Sequence, residues 1–175
     1  MTEPQGFSGT VCRVDQSTWQ VHRAVRLAML LDAPLAYGSS FAREIAFTDE
    51  EWQGRVRRAA TWLALDDDLP VGSATLARFP EQDPDEGCLV AMWVAAHARG
   101  TGAGDALVAA VLDHAASLGL RRVTLDVADG NDRATAFYRR LGFTPTGRTG
   151  TLPHHPEVTE VELERRVDAA LPARG

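Results

Sequence analysis

A glycine-rich turn, Arg99-Gly100-Thr101-Gly102-Ala103-Gly104, is the segment of this sequence best suited to bind an anion. It follows an apolar run and leads into an amphipathic segment, so it is predicted to join a buried strand to a helix. The first N–H groups of a helix have no partner within the helix and lie at the positive end of its dipole. Glycines let a phosphate approach these N–H groups closely, and Arg99 adds a positive charge beside them.

The turn alone leaves three interpretations open: a dinucleotide-binding turn, a turn for the diphosphate of coenzyme A, and a structural turn without a ligand. A dinucleotide turn needs Gly-x-Gly-x-x-Gly in the first strand–helix unit, with an acidic residue some 20 positions further on. Here the spacing is Gly-x-Gly-x-Gly, and the turn lies past the middle of the 175 residues. The dinucleotide interpretation is therefore disfavoured.

The composition excludes several classes of protein. The chain is 45% hydrophobic and 24% charged, which is typical of one globular domain. Its formal net charge of −6 disfavours binding to nucleic acid or anionic membranes. The absence of lysine removes Schiff-base catalysis, pyridoxal phosphate anchoring and the P-loop lysine. Because no apolar run is long enough to cross a bilayer and the N-terminus lacks a basic start, we expect a cytoplasmic protein.

The elements that must position the turn can be read from the hydrophobic pattern. The first half predicts a strand at 10–14, a helix after Thr18, a second helix opened by a capping box of Thr48 and Glu51, and a hairpin around the acidic turn 66–70. The second half predicts a central strand at 88–95, a helix at 105–118, a strand at 122–128 and a short helix from Asn131 to Leu141. Two last strands are expected at 144–148 and 158–163. The first helix is expected to bury Val21, Ala24, Val25, Ala28 and Leu31.

A second motif begins 27 residues beyond Gly104: Asn131-x-x-Ala134-x-x-x-Tyr138-x-x-x-Gly142-Phe143, with the only asparagine of the chain. Taken with Arg99-x-x-Gly102-x-Gly104, in this order and at this spacing, the sequence resembles the GNAT superfamily of N-acetyltransferases. The resemblance extends over the order of elements from Thr10 to Leu163.

The resemblance implies a fold. We expect a mixed α/β (α+β) GNAT-type single domain over residues 10–165, with a flexible leader at 1–9 and a loose tail at 166–175. Its central, mostly antiparallel sheet of six to seven strands should be splayed between the fourth and fifth strands and flanked by about four helices. The late strands often mediate pairing in this family, so a homodimer is one expected state.

The resemblance also implies that acetyl-CoA is the cosubstrate. No metal is expected, because the adjacent His154 and His155 have no third ligand at a useful spacing. The exposed backbone of the strand before the turn would bind the pantetheine arm, and a backbone N–H there would polarise the thioester carbonyl. The diphosphate would lie on the amides of the turn. The expected coenzyme-binding residues are Met92, Trp93, Val94, Arg99, Gly100, Thr101, Gly102, Ala103, Gly104, Asn131, Ala134 and Tyr138. Asn131 is equally expected as a helix cap, and the two roles are compatible.

Tyr138 is the expected catalytic acid. Attack of an amine on a thioester expels a thiolate, so a nearby proton donor helps, and the phenol–thiol pKa difference of about 1.5 units costs only about 2 kcal/mol. The alternative is that Tyr138 only completes an apolar stripe with Ala134, Phe137 and Leu141.

The general base is harder to assign. No carboxylate lies between Leu89 and Ala98, where many relatives carry a glutamate. Asp126 is the best substitute, because the ribosomal-protein N-terminal acetyltransferases of this superfamily carry a glutamate in a Leu-Glu-Val run at the place of Leu125-Asp126-Val127. Water and an ordinary strand-end role for Asp126 remain alternatives. Further candidates are His97, His154, His155 and Glu86.

The acceptor is expected to be a primary amine. Deprotonating an amine of pKa about 10.4 at pH 7 costs roughly 4.6 kcal/mol, whereas an α-amine near pKa 7.8 costs only about 1 kcal/mol. A weak base therefore favours α-amines and low-pKa antibiotic amines. Small-molecule acceptors, such as an antibiotic, a polyamine or an amino-acid-like amine, and protein N-termini both remain candidates. The residues expected around the acceptor are Tyr37, Ser39, Phe41, Trp52 and the loop of His154 and His155. A non-catalytic acyl-CoA-binding module is the alternative from another class.

Overall fold

The computed structural model describes residues 7–153 and 155–167 and contains one seven-stranded sheet with strand order β1-β2-β3-β4-β5-β7-β6. The strands are β1 (Thr10–Arg13), β2 (Ala60–Asp66), β3 (Leu69–Ala77), β4 (Glu86–Val94), β5 (Arg122–Ala128), β6 (Thr144–Leu152) and β7 (His155–Arg166). The described helices are α1 (Trp19–Asp32), α2 (Phe41–Glu44), α3 (Asp49–Arg58), α4 (Ala103–Ser117) and α5 (Asp132–Arg140). The predicted mixed fold is confirmed. About four helices were expected, and the fifth is α2, which is only one turn long.

The β2–β3 hairpin forms around the acidic turn, as predicted. Asp67 and Asp68 both have positive φ, 45° and 66°, which is the conformation of a two-residue turn that matches the twist of the strands. The capping box also forms at the start of α3: the Thr48 hydroxyl accepts from the Glu51 N–H, and the Glu51 carboxylate accepts from the Thr48 N–H.

The predicted splay between the fourth and fifth strands is confirmed. β4 and β5 are the parallel pair of the sheet, and their pairing covers only Glu86 with Arg122, Gly87 with Val123 and Cys88 with Thr124. Further along, β4 contains a bulge at Ala91, which has a φ of 53°, and the register with β3 shifts at this point. Beyond Cys88, β4 and β5 therefore separate and leave a gap.

Alternate residues of β2 pack on opposite faces of the sheet, which separates two cores. Trp62 and Ala64 belong to the larger core, which includes the buried side of α4 with Leu107 and Val111 and also Tyr138 on α5. Leu63 belongs to the smaller core, which it shares with Val14 and residues of α1. The gap between β4 and β5 lies beside α4 and α5, so these two helices position the glycine turn and the second motif.

The predicted buried face of α1 is wrong except at Val25, which is buried. Val21 and Leu31 are 42% and 63% exposed, whereas His22 and Arg26 are buried. Arg26 is buried because its guanidinium donates two hydrogen bonds, of 3.0 and 2.9 Å, to Glu44, which is 1% exposed. Arg55 lies 3.2 Å from the same carboxylate. A long-range ion pair therefore decides which side of α1 faces the sheet.

The last two strands are longer than predicted. β6 extends to Leu152 and β7 begins at His155, residues that were expected in the connection between the two strands; His154 lies outside the described residues. Residues 1–6 of the expected leader and 168–175 of the expected tail also lie outside them. β6 is an edge strand, and the homodimer stays a prediction. Within the described ranges, each helix is too short or too polar to span a bilayer.

His22 and Glu44 belong to the same buried polar group. Burial alone would raise the pKa of Glu44, but Arg26 and Arg55 hold it below its ordinary value. Burial, assisted by the positive charges of Arg55 and Arg26, lowers the pKa of His22 to about 4. His22 is therefore neutral in the folded protein at pH 5, although it would be protonated in the unfolded chain.

We expect this histidine to make the protein less stable in mild acid. Because the pKa of His22 is lower in the folded state, its full contribution to the free energy of unfolding is present above about pH 6.5. This contribution falls as the pH drops towards 4, and about 2 kcal/mol of it is lost at pH 5. In His22→Phe, the decrease in unfolding free energy between pH 7.5 and pH 5 should shrink by that amount, as measured by urea denaturation at each pH.

The same substitution at the exposed His97 is the control and should leave the pH dependence unchanged. An unaltered pH dependence in His22→Phe would show that other groups cause the loss of stability.

Candidate active site

A cavity of about 660 Å³ opens at the gap between β4 and β5. It lies among the end of β4, the glycine turn, α5 and the segment that follows α1. Its lining contains both predicted motifs: Met92, Trp93, Val94, Arg99, Gly100, Thr101, Gly102, Gly104, Asn131, Ala134 and Tyr138. Ala103, the remaining predicted coenzyme residue, is buried at the start of α4. The structure therefore brings nearly all of the predicted coenzyme site to one place.

The glycine turn presents free backbone donors to this cavity. Gly100 and Gly102 have φ values of 83° and 99°, a left-handed conformation that favours glycine, and Gly102 caps α4. Among the described residues, the N–H groups of Gly100, Gly102 and Gly104 have no hydrogen-bond partner. A Cβ atom on Gly104 would lie only 3.1 Å from the Phe137 ring, so this glycine is needed for the close approach of α4 to α5. The turn is shaped to receive an anion at the N-terminus of a fifteen-residue helix.

The end of β4 also turns peptide groups towards the gap. The Ala95 N–H donates to the Val71 carbonyl at 2.8 Å, so alternation along the strand directs the peptide groups of Val94 away from β3. The Val94 carbonyl accepts a 2.9 Å hydrogen bond from Arg99 Nε. The Met92 carbonyl accepts one of 3.2 Å from the Tyr37 hydroxyl. Met92 and Val94, which carry these backbone groups, both line the cavity.

Arg99 is hydrogen-bonded to Asp32, a residue that the sequence did not single out. Asp32, the last residue of α1, accepts hydrogen bonds from Arg99 Nη2 at 3.2 Å and from Trp93 Nε1 at 2.9 Å. No local pattern signals this role, because Asp32 lies 67 residues from Arg99 in the sequence. The contact fastens the end of α1 to the coenzyme side of the cavity.

α5 carries the second motif along the cavity wall. The Asn131 side chain accepts a 3.1 Å hydrogen bond from the Ala134 N–H, so its predicted role as a helix cap is confirmed. A bidentate pair between Asp105 of α4 and Arg140 of α5, at 2.6 and 3.0 Å, links the two helices. The hydrogen bond from Arg140 lowers the pKa of Asp105, so this cavity carboxylate stays ionised and paired. Neither partner was singled out from the sequence.

Tyr138 combines a packing position with access to the cavity. It is 8% exposed and its ring lies edge-on to Phe137 and Phe143, at centroid distances of 5.0 and 5.6 Å. Burial raises the pKa of its phenol, and nearby Tyr37 and Cys88 add to the shift. The phenol is therefore fully protonated at neutral pH, as a proton or hydrogen-bond donor must be.

Asp126 lies outside the cavity lining, on β5 opposite Glu162 of β7. Its residue surface is exposed, yet its carboxyl group is partly desolvated; burial and the charge of Glu162 raise its pKa. Of the other base candidates that the structure describes, His97 is exposed, His155 is hydrogen-bonded to Glu157 and Glu86 is buried against Arg122.

Among the described acceptor-pocket candidates, only Tyr37 lines the cavity. Trp52, which belongs to α3, is fully buried. Ser39, just before α2, and Phe41, the first residue of α2, are half-buried. The cavity thus places an anion-binding turn, gap-facing backbone groups and two tyrosine side chains around a single space. Such a set can bind an extended phosphorylated ligand and donate a proton near its far end.

Comparison with known proteins agrees with this geometry. The sequence model of the acetyltransferase (GNAT) family matches residues 26–143. Over 101 residues the chain is 39% identical to an uncharacterized N-acetyltransferase of Mycobacterium tuberculosis, a match that covers 57% of this chain. The chain spans 63% of the length of that relative.

Two solved structures share the fold. A GNAT-family acetyltransferase from Streptococcus pneumoniae superposes with a TM-score of 0.77 at 16% identity, covering 92% of this chain and 100% of that one. A phosphinothricin acetyltransferase from Sinorhizobium meliloti, in complex with AcCoA, gives 0.74 at 19% identity, covering 96% and 95%. Because the family match extends over more than half of the sequence, the protein belongs to the GNAT family of acetyltransferases.

Proposed function

We propose that this protein transfers the acetyl group of acetyl-CoA directly to a primary amine of a small molecule or a protein N-terminus. The observation that carries the proposal is that one cavity contains the free N–H groups of the glycine turn, the gap-facing backbone of β4 and the Tyr138 phenol. This order matches the diphosphate, the amide-containing arm and the thioester of the coenzyme.

The residues present fit the coenzyme. A Cβ atom on Gly100 would meet no protein atom within 4 Å, so the space beside this residue is open to a phosphate group. The diphosphate would bind to the N–H groups of the turn, assisted by the dipole of α4. Arg99 would add charge once it exchanges its contacts with Asp32 and Val94 for a phosphate.

Tyr138 would stabilise the departing sulfur. The coenzyme supplies an activated acetyl thioester, and attack by the amine releases a thiolate. Because burial raises the pKa of Tyr138, complete proton transfer is costlier than for an exposed phenol, and a strong hydrogen bond to the thiolate is the more favourable contribution.

An acidic surface beside the gap favours a cationic acceptor. Asp126 on β5 faces Glu162 on β7, and Glu160 lies two residues further along β7. Burial raises the pKa of both Asp126 and Glu160, and each is affected by a neighbouring carboxylate. Binding a positively charged amine near these groups would relieve their repulsion. Asp126, directly or through water, is the proposed base.

The glycine turn provides a matched test of coenzyme binding. Gly100 and Gly119 both have positive φ, 83° and 72°, and a Cβ atom on either would meet nothing within 4 Å. Replacing either with alanine should cost about 1 kcal/mol of stability through backbone strain. Only Gly100→Ala should weaken acetyl-CoA binding, by tenfold or more, because its methyl group enters the cavity; calorimetric titration measures this.

Equal affinities of the Gly100→Ala and Gly119→Ala proteins for acetyl-CoA would place the coenzyme elsewhere.

Tyr138→Phe tests the catalytic acid. The phenyl ring keeps the contacts with Phe137 and Phe143, so we expect the dissociation constant of acetyl-CoA to change by less than about threefold while kcat falls about 100-fold. Release of free thiol from acetyl-CoA would be followed with spermidine, glycinamide and an alanyl peptide as acceptors. An undiminished kcat would leave Tyr138 with a packing role alone.

Failure of the wild-type protein to release thiol with any amine of this panel, despite tight coenzyme binding, would instead favour a non-catalytic acyl-CoA-binding module.

Asp126→Asn tests the base. With a raised pKa, the carboxylate is the active form only above that pKa, so kcat/KM should fall as the pH drops through it. The variant should lose this acidic limb and at least tenfold in kcat. Glu160→Gln, which alters a neighbouring carboxylate of the same surface, is the control and should retain the limb. Identical pH profiles for wild type and Asp126→Asn would indicate that water, and not Asp126, removes the proton from the amine.

A further inference from the structure

Tyr37 is the second tyrosine in the cavity, and the proposed coenzyme contacts do not include it. It lies in the segment between α1 and α2 and packs against the smaller core, whereas Tyr138 belongs to the larger one. The Arg26 guanidinium lies 5.1 Å from the centre of its ring. Arg26 in turn is held by its two hydrogen bonds to the buried Glu44. The ring of Tyr37 therefore packs against a buried guanidinium whose position is fixed by its ion pair with Glu44.

The hydroxyl group of Tyr37 has a defined orientation. Its single hydrogen is donated to the Met92 carbonyl at 3.2 Å. A phenol oxygen also carries lone pairs, so the capacity that remains to this group is that of an acceptor. Burial raises the pKa of Tyr37 to about 12, which keeps the hydrogen in place at neutral pH. The cavity therefore contains a fixed hydrogen-bond acceptor beside the end of β4.

This acceptor lies close to the reacting end of the coenzyme site. Met92, to which it is anchored, is next to the bulge of β4, and Tyr37 and Tyr138 line the same cavity. Trp93, the next residue of β4, lines the same part of the cavity. A group bound to the Tyr37 oxygen would therefore be beside the thioester and opposite the Tyr138 donor.

We infer that Tyr37 binds the acceptor amine by accepting a hydrogen bond from its N–H, and thereby orients the nitrogen lone pair towards the thioester carbonyl. The inference rests on the proposed function and specifies how the acceptor is recognised. An amine suits this arrangement because it can donate one N–H to Tyr37, attack through its lone pair and still release another proton to solvent or to Asp126. The two tyrosines thus have different roles: Tyr37 contacts the attacking nitrogen, and Tyr138 contacts the departing sulfur.

Tyr37→Phe separates this role from simple packing. The phenylalanine ring keeps its contact with Arg26 and loses only the hydroxyl group. With spermidine, glycinamide and the alanyl peptide, we expect KM of each acetylated amine to rise about tenfold, while the dissociation constant of acetyl-CoA changes by less than threefold. An unchanged KM for every acetylated amine would overturn the inference.

Asp32→Ala is the matched control for anchoring. Asp32 fastens the same segment to β4 through Trp93 but has no contact with the Tyr37 hydroxyl in the described structure. If Tyr37 acts on the amine through its hydroxyl group, KM of the amine should rise clearly less in Asp32→Ala than in Tyr37→Phe. An equal rise in KM in both variants would show that anchoring of the segment, and not the hydroxyl group, controls acceptor binding.

A spectroscopic measurement does not depend on turnover. Since the chain has two tyrosines, the Tyr138→Phe protein contains Tyr37 alone, and its ¹³Cζ resonance can be observed after labelling with tyrosine. In the presence of coenzyme A, addition of an amine that the wild type acetylates should shift this resonance. An unmoved resonance would contradict the inference while leaving the proposed function intact, and absence of thiol release by the wild type would contradict the proposed function itself.

Discussion

The separation of β4 and β5 is the constraint on which the rest of this structure depends. The two strands pair over three residues and then diverge, and the bulge at Ala91 turns the end of β4 away from regular pairing. Backbone groups that lack a strand partner must be satisfied by something else. Here two side chains, Tyr37 and Arg99, occupy carbonyls at the end of β4. The same defect in the sheet that costs strand hydrogen bonds therefore opens the cavity that is the proposed coenzyme site.

Arginine–carboxylate pairs hold the walls of this gap in place. Arg140 and Asp105 connect the two helices on one side, and Asp32 connects α1 to Arg99 on the other. Exposed pairs of this kind contribute little to stability. Their significance is geometric. Arg140 binds Asp105 through two nitrogens, and Arg99 donates from one nitrogen to Asp32 and from another to the Val94 carbonyl, so the orientation of each planar guanidinium is fixed. The buried Arg26–Glu44 pair does the same beneath Tyr37, at the cost of desolvating two charges.

Much of the coenzyme side could be predicted because its signals are local. The glycine turn, the helix cap at Asn131 and the position of Tyr138 two helical turns later depend on backbone conformations within a few residues. The capping box and the two-residue hairpin turn are of the same kind. The α1 side of the cavity was poorly predicted. The stripe expected on α1 was apolar, yet the buried face contains Arg26, whose partner Glu44 lies in a segment for which no element was predicted.

The sequence by itself determined the family, the order of elements and the residues that line the coenzyme half of the cavity, since a turn or a helix imposes its own spacing on the residues that form it. Only the tertiary structure decided that Arg26 is buried, that Tyr37 reaches Met92 and that Asp126 lies outside the cavity. Those outcomes depend on partners 18 and 55 residues apart and on the angle at which β5 leaves β4. A hydrogen bond between distant segments leaves no periodic trace, because nothing in either segment alone requires the other.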